Sequence, residues 1–369
     1  MSAPDLTRRD FLALTAFASA AGLPAARAGA AAPTHRVLGR TGLRVSEVGM
    51  GVMITSDPAL VRAALDAGVN FFDTARSYMG GRNEEILAEG LGDRRKEAIV
   101  ATKCRQLNRK AAVTGSVEQS LKALRTDVID VLYLHGLSSR EEVLLPEHLE
   151  AVEFRKAQGK IRFSGVSTHS NMVSVMDAAV EAGVYDVVLT SFNFQSPPEV
   201  AEAVKRTAAA GLGVVAMKIM TGGYSMEAFP GLNPYQSALR WVLEHEAVST
   251  TIPSMATFDQ VRENAAVMGT RHTWRDGAAL RVYARVVEDR YCRGCGACSG
   301  QCGQAADVPT ALRALMYAEG YGHPELSREA LAGVRLPCGS CSSCTVTCRF
   351  GIPVGERVAR LLDLGLGVA

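Results

Sequence analysis

The chain of 369 residues predicts an α/β fold: a (β/α)8 barrel followed by a small, mainly helical, cysteine-rich domain. Three observations carry that expectation. Short apolar runs alternate with amphipathic segments eight times between Thr34 and Thr270. Eight units in that length match a closed parallel barrel. Eight of the nine cysteines then crowd between Cys292 and Cys348. With 47% hydrophobic and 21% charged residues, wholesale disorder is excluded. Lysine plus arginine (40) nearly balance aspartate plus glutamate (38), so a net charge of +2 gives no reason to expect nucleic acid as a partner.

The first 32 residues read as an address. Thr7-Arg8-Arg9-Asp10-Phe11-Leu12 resembles the twin-arginine (Tat) export motif, an alanine-rich apolar stretch runs from Phe11 to Leu23, and Ala26-Arg27-Ala28 offers a small-x-small cleavage site. The stretch is shorter than the ~20 residues a bilayer span needs. The alternative is an alanine-rich terminus with a chance arginine pair. The signal reading implies export of the folded protein by the twin-arginine machinery, a periplasmic location, and no membrane span in the mature chain.

In the barrel, residues 34–270, the strands are read as Val48–Met53, Asn70–Asp73, Ala98–Thr102, Val128–Leu134, Arg162–Val166, Val187–Thr190, Gly213–Met217 and Ser249–Ile252. The helices between them begin with Pro58–Ala67 and Glu84–Leu91 and close with Phe258–Met268. Val117, Leu121 and Leu124 show the helical spacing. Glycines at 68, 159, 183 and 211 stand where helices need left-handed caps. An open doubly wound sheet is the competitor, but Gly49-Met50-Gly51-Val52-Met53 does not complete its phosphate-loop fingerprint. Arg36–Val48 reads as a hairpin closing the barrel's bottom. Residues 271–290 read as a linker and 291–369 as the cysteine domain with a C-terminal helix.

Barrel chemistry sits at the C-terminal ends of the strands. There the sequence sets Asp73, Tyr78, Lys103 and His135, a carboxylate, phenol, amine and imidazole from three adjacent strands. Each has a bland alternative: Asp73 as a loop cap, Tyr78 as packing, His135 as a core histidine. Lys103 is harder to dismiss. It is one of eight lysines, it ends a buried apolar strand, and an unpaired ammonium there is costly. Asp73 is placed to pair with it. Together they suit carbonyl reduction: hydride arrival leaves negative charge on oxygen, and a proton donor must stand beside it. Tyr78 is the expected donor, its acidity raised by Lys103, with His135 orienting the carbonyl.

These segments resemble the aldo/keto reductase family. Phe71-Phe72-Asp73-Thr74-Ala75-Arg76-Ser77-Tyr78, Ala101-Thr102-Lys103 and Tyr133-Leu134-His135 match its tetrad motifs in order and spacing. Gly165–Ser170 and Ile252 through Asn264 extend the likeness over Arg36 to about Met268. The resemblance implies NAD(P)H across the barrel top, its nicotinamide near Ser167 and Thr168, with Met217, Lys218, Ser254, Gln260 and Asn264 as further cofactor contacts. It departs from the family's usual pattern at Thr168, Leu189 and Met217. At Ser254 and Gln260 the cations of NADP-preferring members are missing. Lys218 is either a substitute cation or a rim lysine.

Cys292-x2-Cys295-x2-Cys298-x3-Cys302 and Cys338-x2-Cys341-x2-Cys344-x3-Cys348 let one loop wrap three thiolates around a cubane while the fourth leaves with the chain. Structural zinc and disulfides are the alternatives. The runs resemble ferredoxin-type domains, which implies two [4Fe-4S] clusters. The crossed ligand sets would be Cys292, Cys295, Cys298 with Cys348, and Cys338, Cys341, Cys344 with Cys302. The proline that usually follows the fourth cysteine is Gly303 or Arg349. Cys104 reads as barrel core. The expected function is an exported oxidoreductase acting on a small carbonyl/alcohol substrate, its clusters serving a redox partner protein or bracing the fold. The rival is an electron-transfer or docking protein with an idle barrel.

Overall fold

In the computed structural model, described for residues 33–105, 110–225, 233–334, 336–341 and 343–367, the chain opens on an antiparallel hairpin. Strands β1 (His35–Val37) and β2 (Arg44–Ser46) flank a 3-10 turn at Gly39–Thr41. The hairpin stops the barrel's lower end: Arg40 N donates to Gly211 O (2.6 Å), and Leu38, Leu43 and Val45 join the barrel's interior core. The twin-arginine segment lies outside the described residues.

Eight parallel strands follow in sheet order: β3 (Met50–Gly51), β4 (Phe71–Asp73), β5 (Ile99–Arg105), β6 (Ile129–His135), β7 (Ile161–Thr168), β8 (Val187–Ser191), β9 (Gly213–Met217) and β10 (Thr250–Thr251). Parallel bridges Val48–Thr251 and Gly51–Ser254 join the two edges and close the barrel. Phe71, Val131, Tyr133, Val187, Leu189 and Val215 fill the inside. A second apolar layer lies between strands and outer helices. Strands buried on both faces read as continuous apolar runs, which is why periodicity locates them.

The outer helices are α1 (Pro58–Asp66), α2 (Arg82–Leu91), α3 (Lys110–Ala123), the single turn α4 (Arg140–Val143), α5 (Pro146–Ala157), α6 (Met172–Ala182), α7 (Pro198–Ala209), α8 (Pro234–Leu243) and α9 (Phe258–Ala265). Element order agrees with the sequence reading. The largest shift is in β5, which runs on through Arg105 because its ladder with β6 continues through Lys103–Tyr133 and Arg105–His135. Lys103 therefore stands inside a strand, and residues 103, 105, 133 and 135 share one face.

Residues 271–290, expected as a linker, carry α10 (Trp274–Val287). Thr273 and Asp276 form its capping box, and Asp276 accepts from Ser237 Oγ (2.8 Å) and Arg240 Nη1 (2.9 Å) of α8. Its apolar face, with Leu280, Tyr283 and Val287, is buried. The spacing of three and four was present in the sequence, and the capping box plus that face make a packed helix out of the connection.

The C-terminal unit holds α11 (Val308–Glu319), α12 (Pro324–Leu331) and α13 (Val354–Asp363). Leu312, Leu315, Ile352, Val358 and Leu361 form its core, and Cys292, Cys298, Cys302, Cys338 and Cys348 pack against it. Helix α13 turns back onto α11, where Glu319 accepts from Arg357 (2.7 Å) and Arg360 (2.9 Å). The unit is seated on the barrel mouth through an aromatic seam of Tyr224, Tyr283, Tyr291, Met316 and Tyr317. Gly320 makes the seating close: a Cβ there would lie 2.1 Å from Gly222 O. No helix among the described residues is long and apolar enough to cross a membrane.

Candidate active site

The ends of β4 and β5 bring Asp73 and Lys103 together, both almost wholly buried. Lys103 Nζ donates to Asp73 Oδ1 and to Thr74 O (2.8 Å). Burial draws both groups toward their neutral forms, and their mutual attraction opposes it. Asp73 Oδ2 has no hydrogen-bond partner among the described residues.

Tyr78 is delivered by the loop after β4. Asn83 and Glu84, at the start of α2, hold that loop. Asn83 accepts from Thr74 Oγ1 (2.7 Å), and buried Glu84 accepts from Arg76 and from Thr102 Oγ1 (2.7 Å) on β5. Lys103 Nζ lies 4.9 Å from the centroid of the Tyr78 ring. The expected lowering of the phenol's pKa by Lys103 is not what the structure gives. Burial, then the charges of Asp73, Tyr317 and Glu329, hold Tyr78 well above its ordinary value. Lys103, shared with Asp73 and Thr74 O, does not offset them. Tyr78 is thus fully protonated at neutral pH, the form a proton donor needs.

His135 closes the group, its ring edge-on to Tyr78 with centroids 5.9 Å apart. Burial, then the positive charges of Lys103, Arg105 and Arg313, press its pKa well below the usual value, so the ring is neutral. Nδ1 has no partner among the described residues. All four expected residues therefore converge at the C-terminal ends of the strands. Cys104 is barrel core as expected: it is buried, and desolvation pushes its thiol up to about 12.

A cleft of about 280 Å³ crosses this mouth. Of the expected cofactor residues, Met217, Lys218, Ser254, Gln260 and Asn264 line it. Ser167 and Thr168 do not. Ser167 Oγ accepts from Gly136 N (2.9 Å), and Thr168 Oγ1 donates to Ser170 O (2.6 Å), so both hydroxyls serve the loop ends. Lys218, in a left-handed conformation, donates to the Tyr317 and Tyr321 hydroxyls (3.1 and 3.4 Å). Its cation is engaged by the C-terminal unit.

That unit supplies what the sequence reading missed. Thr310, Arg313 and Tyr317 recur at three and four along α11 and face a second chamber of about 330 Å³, which also reaches Tyr78, His135 and His169. Burial raises the Tyr317 phenol, but Lys218 and Arg313 outweigh it and leave its pKa below the ordinary value. The polar stripe on an apolar helix was visible; which surface it met was not.

The cysteine loops stand next to this chamber. Cys292, Cys295, Cys298 and Cys348 line one small cavity. Burial, with the neighbouring thiols of Cys298, Cys295 and Cys348, pushes Cys292 up to about 12. Cys338 has Cys302, Cys341 and Cys344 as its electrostatic neighbours. None of the nine cysteines is in a disulfide, and among the described residues no group of three donors converges to hold a metal ion. Gly294 brings the first loop against the barrel. Asn171 N donates to its carbonyl (2.8 Å), and at φ +62° a Cβ would lie 2.2 Å from His169 O.

Comparison with known proteins gives this arrangement a family. The sequence profile of the aldo/keto reductase family matches residues 55–230. The uncharacterized oxidoreductase YrpG of Bacillus subtilis is 32% identical over 222 residues, covering 51% of this chain and 67% of the relative. L-galactose dehydrogenase of Arabidopsis thaliana is 27% identical over 278 residues, covering 63% and 87%. The holo form of aldo-keto reductase AKR11C1 from Bacillus halodurans superposes with a TM-score of 0.59 at 26% identity, covering 68% of this chain and 96% of that one. With the Asp73, Tyr78, Lys103 and His135 constellation at the mouth of an eight-stranded parallel barrel, the chain belongs to the aldo/keto reductase family of NAD(P)H-dependent oxidoreductases.

Proposed function

We propose that this protein is an exported reductase, acting on a small carbonyl/alcohol pair with NAD(P)H in its barrel and carrying two [4Fe-4S] clusters in its C-terminal unit. The observation that carries the reductase reading is the convergence of a protonated Tyr78, a neutral His135 and the buried Lys103–Asp73 pair at the barrel mouth, where Asp73 and Tyr78 line the cleft and His135 the adjoining chamber. The cleft suits a nicotinamide dinucleotide. Met217 and Ile252 give it apolar walls, Ser254, Gln260 and Asn264 give it polar ones, and Asp73 Oδ2 and His169 Nδ1 are orphaned at its inner end.

When bound there, NAD(P)H supplies the hydride to the carbonyl carbon. The chain's own residues do the rest. His135 donates a hydrogen bond to the carbonyl oxygen from its protonated ring nitrogen and fixes its direction. Tyr78 passes its hydroxyl proton to that oxygen as negative charge grows on it. Lys103, held by Asp73 and Thr74 O, lies over the phenol ring and stabilises the phenolate that remains. α11 covers the mouth and excludes water. In the oxidising direction the same groups act in reverse, as the likeness to L-galactose dehydrogenase suggests.

The cluster reading rests on the four thiols around one cavity and on the crossed neighbours of Cys338. Two Cys-x2-Cys-x2-Cys-x3-Cys runs favour a cubane over structural zinc, which commonly takes paired Cys-x2-Cys units. Cys292, Cys295, Cys298 and Cys348 would hold one cluster and Cys338, Cys341, Cys344 and Cys302 the other. They would supply one-electron transfer to a redox partner protein, or brace the unit that covers the active site. Export rests on Arg8-Arg9 and the segment after it.

Titrating the purified protein with NADPH and NADH separately, followed by aldehyde addition and an iron assay, tests the whole reading. Saturable binding of either nucleotide, its oxidation by aldehyde, and about eight irons per chain are expected. No nucleotide binding leaves the docking reading. One zinc per four cysteines and no colour removes the clusters.

A further inference from the structure

Cations outnumber anions around the chamber that Tyr78 and His135 share with the C-terminal unit. Two arginines, Arg105 and Arg313, line it beside the neutral imidazoles of His135 and His169. Glu329 is the one carboxylate in its lining. Arg105 reaches the backbone of that residue (3.4 Å) and stands on the same strand face as Lys103. Arg313 is different. It is half-buried, and among the described residues its guanidinium donates only to Thr310 Oγ1 (3.3 Å), with no carboxylate paired to it. A half-buried guanidinium facing a chamber of about 330 Å³ with no carboxylate paired to it is free to take an anionic ligand.

Place within the fold says which ligand. The cofactor cleft is lined by Ser254, Gln260 and Asn264, and Arg313 does not reach it. Tyr78, the proton donor, lines both spaces, but the orienting His135 lines only the chamber with Arg313, which makes that chamber the substrate's side. Resting on the reductase reading above, we propose that the substrate is a carbonyl compound bearing a carboxylate, and that Arg313 of the C-terminal unit holds that carboxylate while Tyr78 and His135 hold the carbonyl. A planar guanidinium takes a carboxylate through two parallel hydrogen bonds. Glu329 in the same wall repels a dianion such as phosphate more strongly than it repels a single carboxylate. The unit beyond the barrel thereby becomes part of the specificity site. Its stripe Thr310, Arg313, Tyr317 reads as a substrate-facing surface.

The test pairs succinic semialdehyde with butanal, which share chain length and differ in the carboxylate. The wild-type ratio of kcat/KM for the acid aldehyde over butanal should be well above one. In Arg313→Gln that ratio should fall by about 10- to 100-fold, the worth of a charged hydrogen-bonded pair. Arg313→Lys should restore part of it. Calorimetry with succinate, which cannot be reduced, gives a readout independent of turnover: it should bind wild type and lose affinity by a similar factor in Arg313→Gln. Succinate binding that depends on Arg313, even if neither aldehyde is reduced, would remove the reductase reading and leave the anion site standing. Equal use of both aldehydes by wild type, no succinate binding, or a greater preference for glyceraldehyde phosphate over glyceraldehyde than for succinic semialdehyde over butanal would overturn the proposal. So would an Arg313→Gln protein that keeps the preference and loses iron, which would assign the arginine to balancing the cluster held by Cys292.

Discussion

Replacing Lys103 by methionine removes one half of an ion pair whose side chains are 2% and 3% exposed. Asp73 Oδ1 loses its donor, Oδ2 has none to begin with, and Thr74 O loses its side-chain donor as well. Breaking a buried pair from one side costs about 3–5 kcal/mol, because the surviving charge is left unmet. At ~2–4 °C per kcal/mol for a chain of this order, the melting temperature should drop by about 6–20 °C. The loss should depend on pH. Burial already pushes the Asp73 carboxyl up, and without Lys103 nothing opposes it. Its folded pKa then lies above the unfolded value of about 3.9. In that window the native state binds more protons than the unfolded state, so the variant regains stability as pH falls through the folded pKa. Asp73→Leu combined with Lys103→Met should recover most of the loss, since an apolar pair of similar volume carries no unmet charge. Thermal or urea melts across mildly acidic to neutral pH read all three effects. A Lys103→Met protein within about 1 kcal/mol of wild type, with a pH-independent difference, would refute the buried-pair reasoning.

His135 and His169 are both held well below their ordinary value, first by burial. The unfolded chain therefore binds more protons below about pH 6.5. Stability should fall as pH drops through that range, by at most about 1.4 kcal/mol per unit per histidine, and His169→Asn should flatten the slope of melting temperature against pH. Gly320→Val sets a side chain against Gly222 O; it should cost about 1–3 kcal/mol and raise KM by lifting α11 from the mouth, both read from melts and kinetics on one preparation. Cys348→Ala should alter the spectrum of the cluster held by Cys292, Cys295 and Cys298 and spare the other; damage confined to the other would refute the crossed ligand sets.

The barrel was legible because its strands are buried on both faces. Runs such as Val128–Leu134 stand out as apolar, and glycines at 68, 159 and 183 mark the helix ends. The tetrad was legible for the same reason: Lys103 is conspicuous inside such a run. The length of β5 was not, because its last residues are fixed by the ladder to β6 and not by their own hydrophobicity. Ser167 and Thr168 stand off the cleft because Gly136 N, after β6, and Ser170 O engage their hydroxyls, pairings that the sequence does not display. α10 was passed over as a linker although Leu280, Tyr283 and Val287 carry helical spacing. Arg313, Tyr317 and Tyr321 stood out least, since they lie more than two hundred residues from Tyr78 and Lys103 and come near them through tertiary contacts such as the close approach of Gly320 to Gly222.

The central claim is that Tyr78 delivers the proton in a nicotinamide-dependent carbonyl reduction. Its most direct measurement is aldehyde-dependent NAD(P)H oxidation by wild type and Tyr78→Phe, with nucleotide affinity measured on both. Alcohol should form in step with nucleotide consumed by wild type, and kcat should fall ~10²–10⁴-fold in the variant with nucleotide affinity retained. Turnover by Tyr78→Phe at the wild-type rate, or a wild-type protein that binds neither NADPH nor NADH, would contradict it.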